Sequence, residues 1–363
     1  MDDRFAGVRA EVARQLQAGL RPSIQVAVDW RGERVLDFAD GPDATPNSSY
    51  VLWSSTKPFI AVALLQLVEE GRASLDDRVS QHIPEFGNGG KERATLVHVL
   101  SHRGGFPDST PEIRREVGLR TGDWSAALAY VCQLPAIWEP GRDRGYHPST
   151  GWYVLGELIQ RLDGRPLPEV LRARVLEPAG IEPDGFSLGE PERLRQPPMT
   201  VHTNGERMAP PESEARYWND PRTHRAVIPG GGGIARANQV VKLYRALLAG
   251  GEGPNGRLLS REMVRTATFP HAVGTIDRTF QSDIPWALGF HLKHVRPSLD
   301  DCGDSATPGT FGHGGHFLVN TAWADPARDL AVCILSNGLA PARPGLRGVN
   351  RLSQSILDAV DAR

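Results

Sequence analysis

Lysine is almost missing from this chain. Of its 41 basic residues, all but Lys57, Lys91, Lys242 and Lys293 are arginine, so each lysine raises the question of what it is for. Cysteine is rarer still. Cys132, Cys302 and Cys333 are odd in number and lack the short paired spacings of zinc sites and redox motifs, which predicts reduced, mostly buried thiols. The histidines show no His-Glu-x-x-His or comparable spacing, so no metal is expected. Gly230 to Gly233 lack the lysine of a phosphate loop, so no nucleotide is expected either, and the chain reads as cofactor-free.

An excess of charge is missing too. A net charge of −2 over 363 residues gives no electrostatic reason to expect nucleic acid or an anionic membrane as partner, and leaves a small molecule. No apolar run reaches membrane-spanning length. The opening MDDRFAGVRAEVARQLQAGL places Phe5, Val8, Val12 and Leu16 at helical spacing, without the uninterrupted apolar core of a secretion signal. A cytoplasmic protein is therefore expected. With 40% hydrophobic and 23% charged residues, the chain has apolar material for one large or two interleaved domains, and no repeat or low-complexity tract interrupts it.

The stretch IQVAVDWRGERVLDFADG alternates about a Trp-Arg-Gly-Glu turn and predicts two early strands. Phe59 to Val68 fill most of a helix face, and Glu69-Glu70-Gly71 stops it. Residues 75 to 225 read as short helices and turns, with GWYVLGELIQRL the clearest helix. Between 183 and 233, proline, charge and glycine leave too little periodicity for regular elements. That stretch, through Pro197-Pro198 and Pro210-Pro211 to Gly230–Gly233, predicts a long excursion ending in a flexible wall or turn. A helix over 238–249 follows, then a strand from the alternation of Trp286, Leu288, Phe290 and Leu292. HFLVNTAW and LAVCILSNG make a second hairpin about Asp325-Pro326-Ala327-Arg328, and Leu346, Val349, Leu352, Ile356 and Val360 a closing helix. Strands at both ends of the chain need partners and helical cover. The expected class is α+β: one antiparallel sheet completed by the two termini and flanked by terminal helices, with a mainly helical domain inserted. The expected boundaries are 1–75 with 226–363 for the sheet domain and 76–225 for the helical one.

The chemistry centres on YVLWSSTKPFI. If a helix begins near Ser54, Pro58 falls among the first residues, whose N–H groups have no intrahelical partner, and Lys57 lies one turn on, on the same face as Ser54. A dry pocket there lowers the lysine pKa and gives an amine able to take the serine proton. A serine cap followed by an exposed lysine has the same spacing. The apolar flanks Trp53 and Phe59-Ile60 argue against exposure, since an unpaired ammonium among them is costly.

Successive blocks extend the pattern: WSSTKPFIAVALLQLVEEGRASLDDRVSQHIPEF, LVHVLSHRGGFP, WEPGRDRGYHPSTGWYVLGELIQRLDGR, GGGGIARANQVVKLYRALLAGG and FGHGGHFLVNTAWADPARDLAVCILSNG. In this order, from about residue 24 to 340, they resemble the serine β-lactamase and penicillin-binding-protein family, and within it class C β-lactamases and family VIII carboxylesterases. The resemblance implies a β-lactamase/transpeptidase-like fold with the nucleophile between sheet and helical domain. It assigns Ser54 as nucleophile and Lys57 as its partner. Tyr146 matches the tyrosine of the Tyr-x-Asn motif and relays the proton; near a cation in a closed cleft, it is expected to ionise more easily. His313-Gly314-Gly315 occupy the place of Lys-Thr-Gly, the glycines letting substrate approach the backbone. The N–H groups of Ser54 and His316 form the implied oxyanion hole. His147 and Trp152 are further candidates for the pocket lining, with core roles equally open.

Departures from the family pattern narrow the expectation. Pro148 replaces the asparagine of Tyr-x-Asn, His313 the lysine of Lys-Thr-Gly, and Gly314 its threonine. The β-lactam amide and carboxylate lose their partners, which argues against efficient β-lactam hydrolysis. The expected activity is hydrolysis of a small-molecule carboxylic ester through an acyl-Ser54 intermediate. Alternatives are transfer of the acyl group to an amine or alcohol, a β-lactamase or D-amino-acid peptidase, and an inactive ligand-binding relative.

Overall fold

The structure is a computed structural model and describes residues 3–108, 110–203, 211–293, 301–316, 319–339 and 342–362. In chain order, the elements that matter most begin with α1 (Ala6–Gln17), β1 (Ile24–Trp30), β2 (Glu33–Asp40) and α2 (Lys57–Glu69). Next come α3 (Thr150–Asp163), α4 (Ala237–Leu248), β3 (His291–Leu292) and β4 (Phe311–Gly315). The chain ends with β5 (Asn320–Asp325), β6 (Leu330–Ser336) and α5 (Ala342–Asp361).

The strands form one antiparallel sheet in the order β2-β1-β6-β5-β4-β3. β1 lies against β6 from Ile24↔Ser336 to Trp30↔Leu330, so the first and last long strands meet at the sheet's centre, as expected. Strand side chains alternate between the faces. Val26, Val28, Val332 and Ile334 join Val8 and Val12 of α1 and Leu352 and Ile356 of α5 on one side. Ala27, Cys333 and Leu335 turn to the other side, into the larger core shared with α2, α3 and α4. Cover on both faces explains why β6 is buried along its whole length and reads as an unbroken apolar run.

Helix α2 is buried from Lys57 to Leu67, which accounts for its all-round apolar sequence. It ends at Gly71, whose φ of +73° a side chain would resist. The three cysteines are buried, and none is in a disulfide. Among the described residues, no helix is long and apolar enough to cross a membrane.

Two expectations need correction. The 183–233 stretch contains short strands at Phe186–Leu188 and Gly233–Ala235 and helices at Pro211–Asn219 and Pro221–Arg225. The helices are short and capped by Asp220 and proline rather than marked by long apolar faces, and Pro210 lies outside the described residues. The alternation from Trp286 to Leu292 yields only the two-residue β3. The chain bends at Gly289, φ +82°, whose N–H donates to the Leu100 carbonyl. In the second hairpin, Phe317 and Leu318 lie outside the described residues, and the regular strand begins at Asn320.

Candidate active site

Ser54 sits in the 3₁₀ turn Trp53–Thr56, which runs straight into α2, and Pro58 is the second residue of that helix. The turn is fastened on two sides. Ser55 Oγ donates to the His313 carbonyl of β4 at 2.9 Å, while Leu52 N–H donates to the Gly233 carbonyl at 2.7 Å. Gly233 N–H in turn donates to Thr56 Oγ1 at 3.0 Å. Trp53, just before the serine, has a φ of +46°, and His316, just after Gly315, has +29°. Both are non-glycine residues in a costly region, and their rings stack at 5.6 Å. Glu214 holds the His316 ring on its other edge, 2.5 Å from Nε2.

Lys57 Nζ is fully buried and lies 2.8 Å from Ser54 Oγ, 2.9 Å from the Pro148 carbonyl oxygen and 2.6 Å from that of Gly230. Burial drives its pKa well below the ordinary value, against the pull of the Asp108 carboxylate. A neutral amine has two hydrogens and one lone pair. In that form the two carbonyls take the hydrogens and the lone pair is left for the Ser54 hydroxyl, whereas the charged form donates to all three oxygens. Tyr146 O–H donates to the same Oγ at 2.7 Å, so the neighbouring lysine and a tyrosine from a distant part of the chain converge on one oxygen.

Tyr146 departs from expectation in one respect. Burial raises its pKa far above the ordinary phenol, and the hydrogen bond to Ser54 offsets this only in part. The Asp108 and Asp277 carboxylates push in the same direction as burial. Tyr146 is thus a protonated donor, not an easily formed phenolate.

The other expected residues divide. His313 is buried in β4, its Nδ1 donating to the Gly314 carbonyl at 2.8 Å and its Nε2 without a hydrogen-bond partner among the described residues. Burial, reinforced by Lys57, holds its pKa well below the ordinary value, so it does not supply the positive charge of the lysine it replaces. Gly315 is required by packing, since a Cβ there would lie 2.4 Å from the Leu52 carbonyl oxygen. That absence brings the Gly315–His316 backbone beside Ser54. Gly315→Ala is expected to cost about 1–3 kcal/mol of stability and to displace the nucleophile turn. Thermal melts with parallel turnover measurements check this, and an unchanged melting temperature and rate would contradict it.

Trp152 and His147 do not line an open pocket. Trp152 is buried with its ring 5.4 Å from Lys57 Nζ, and its Nε1–H donates to the His147 carbonyl. His147 is buried against Phe106 and His102. Trp152 supports the lysine from behind, and His147 holds Trp152. The tetraglycine is no flexible wall either: all four residues are buried, and a Cβ on Gly230 would lie 2.5 Å from the Pro148 oxygen. Only glycine lets the two carbonyls close on one amine.

The beta-lactamase family profile matches residues 8–354. The chain belongs to the beta-lactamase family. It is 27% identical over 363 aligned residues to "Esterase EstB" of Burkholderia gladioli, covering 92% of this chain and 87% of that protein. A penicillin-binding protein homolog from Caulobacter crescentus superposes with a TM-score of 0.79 at 28% identity, covering 99% of this chain and 98% of the other. A family VIII carboxylesterase superposes with a TM-score of 0.80 at 24% identity over 98% and 97%, which shows the shared fold.

In this beta-lactamase-family chain, two acidic residues that sequence reading passed over hold the site in place. Asp108, fully buried, accepts from Ser149 N–H at 2.8 Å, Thr150 N–H at 3.0 Å and Thr150 Oγ1 at 2.5 Å. It thereby fixes the start of α3 and the Pro148 carbonyl just before it. Burial raises its pKa, and those hydrogen bonds and Lys57 counter the rise. Its one sequence signal was the turn-forming Pro-Asp-Ser-Thr run. Asp277 accepts from Tyr146 N–H at 3.2 Å and from Trp286 Nε1–H at 2.9 Å, and nothing in its neighbourhood announced that.

Proposed function

We propose that the protein hydrolyses a small-molecule carboxylic ester through an acyl-Ser54 intermediate. The observation that carries this reading is the convergence of Lys57 Nζ and Tyr146 O–H on Ser54 Oγ, at 2.8 and 2.7 Å. Neutral Lys57 takes the hydroxyl proton as Oγ bonds to the ester carbonyl carbon. The negative charge moves to the carbonyl oxygen, held by the N–H groups of Ser54 and His316. The tetrahedral adduct collapses, the carbon–oxygen bond to the alcohol breaks, and the Lys57–Tyr146 pair returns a proton to the leaving oxygen. Water then repeats the attack on the acyl carbon and releases the acid. The reading places this chemistry at the junction of a sheet domain, 1–75 with 226–363, and a helical domain, 76–225.

The similarity to a protein named as an esterase supports an ester rather than a β-lactam. So does the neutral His313, which offers no cation to a substrate carboxylate. The test is a fluorophosphonate that reacts with activated serine, followed by intact-protein mass spectrometry. One adduct is expected on the wild type and none on Ser54→Ala; equal labelling of both would sink the mechanism. Adding an alcohol or amine acceptor to the ester assay separates hydrolysis from acyl transfer by product.

A further inference from the structure

Large apolar side chains are exposed between α4 and β3, and one of them, Phe280, lies beside the site. Phe280 is 41% exposed, and Ile276 and Val273 more so. Phe280 is not on a loose flap. Asp277 accepts from the N–H groups of Thr279 at 2.9 Å, Phe280 at 3.1 Å and Tyr146 at 3.2 Å. Thr279 Oγ1 donates to the Tyr146 carbonyl at 3.1 Å. The Phe280 ring is thus held 5.0 Å from that of Tyr146, on which Trp286 also stacks at 5.2 Å. A rigid aromatic facing solvent beside a reactive hydroxyl is a ready surface for an apolar ligand, because it loses little freedom when covered.

Among the described residues, charged groups near this wall are engaged with one another: Arg144 is paired with Asp283 and Arg278 with Asp143, while the Glu214 carboxylate meets His316. Resting on the ester-hydrolase reading, we infer that the substrate is an uncharged ester of an apolar or aryl alcohol, and that Phe280 is its specificity-determining residue. The side is fixed by the chemistry. Tyr146 belongs to the pair that returns the proton to the leaving oxygen, so the group next to Tyr146 and Phe280 is the alcohol, not the acyl chain.

Two matched ester series test this. One lengthens the alcohol over a fixed acetyl group, and the other lengthens the acyl chain over a fixed ethyl group. In the wild type, kcat/KM is expected to rise about two- to fourfold per methylene in the alcohol series. Phe280→Ala flattens that rise without changing the slope of the acyl series, and Phe280→Leu, still apolar, keeps most of it. An acetyl ester carrying a carboxylate on the alcohol side is expected to react at least about tenfold more slowly than its methyl ester. Equal alcohol slopes in wild type and Phe280→Ala, a change confined to the acyl slope, or equal use of the charged ester each overturn the inference while leaving ester hydrolysis in place. A wild type that neither labels at Ser54 nor turns over any ester overturns both.

Discussion

Ser54→Ala and Lys57→Met are each expected to lower kcat for ester hydrolysis by about 10⁴-fold or more, and the double variant to lose little beyond either one. The two side chains act as one unit. Without the hydroxyl there is nothing to acylate, and without the amine no neighbour has both position and affinity for the proton. Tyr146 O–H already donates to Oγ, and burial holds it protonated. Methionine fills the lysine's space without a charge, so the loss reports on proton transfer rather than on a cavity. Single-turnover kinetics on the three variants check the claim, and a double variant slowed by anything near the product of the two single effects would contradict it. The same lysine sets the acid limb of kcat/KM. Only its neutral form accepts a proton, so activity falls as pH drops through its pKa. Because burial puts that value well below the ordinary 10.5, the limb lies far to the acid side of a free lysine.

Acid is also expected to weaken the fold through histidines that cannot take a proton where they lie. His102, His147 and His313 are buried, and burial holds all three pKa values below the ordinary 6.5, His147 down to about 3. Once unfolded, each accepts a proton near pH 6.5. From there down to about pH 3 the unfolded chain binds more protons than the folded one, so stability falls as pH falls. For His147 alone the loss amounts to roughly 3–5 kcal/mol by the bottom of that window. His291 works in the opposite sense. Burial opposes its charge, but the Asp301 carboxylate overrides this and raises its pKa, so its contribution is present below pH 6.5 and fades as pH rises. Urea melts of wild type and His147→Asn between pH 7 and 4 isolate the effect. The variant should lose less stability over that range, and parallel curves would count against the account.

What the sequence made legible was local or carried by the family resemblance. Ser54, Lys57 and Pro58 lie within a turn and a half of one helix start, so spacing alone placed them together. The hairpins about Arg31-Gly32 and Pro326-Ala327 are likewise set by neighbouring residues. The carbonyl cage around Lys57 was illegible for a physical reason. It is made of backbone oxygens of Pro148 and Gly230, far apart in the chain, and any residue type carries such an oxygen. Glycine at 230 was visible, but its reason, the close approach to Pro148, belongs to the fold. Trp286 misled because alternation alone cannot distinguish a strand from a bent segment whose side chains happen to be buried in turn. Tyr146 was placed correctly but assigned the wrong tendency, since how strongly burial opposes ionisation depends on depth.

The pairing of β1 with β6 also bears on how the chain is made. The partner of Ile24 is Ser336, so the inner edge of β1 waits while roughly three hundred residues are synthesised, about 15–60 s at ordinary translation rates. Throughout that interval a largely apolar strand edge is open to the wrong neighbour. His316 and β4, which complete the surroundings of Ser54, also emerge late. The nascent chain therefore carries its serine and lysine from early on but cannot use them until nearly all of it has been released.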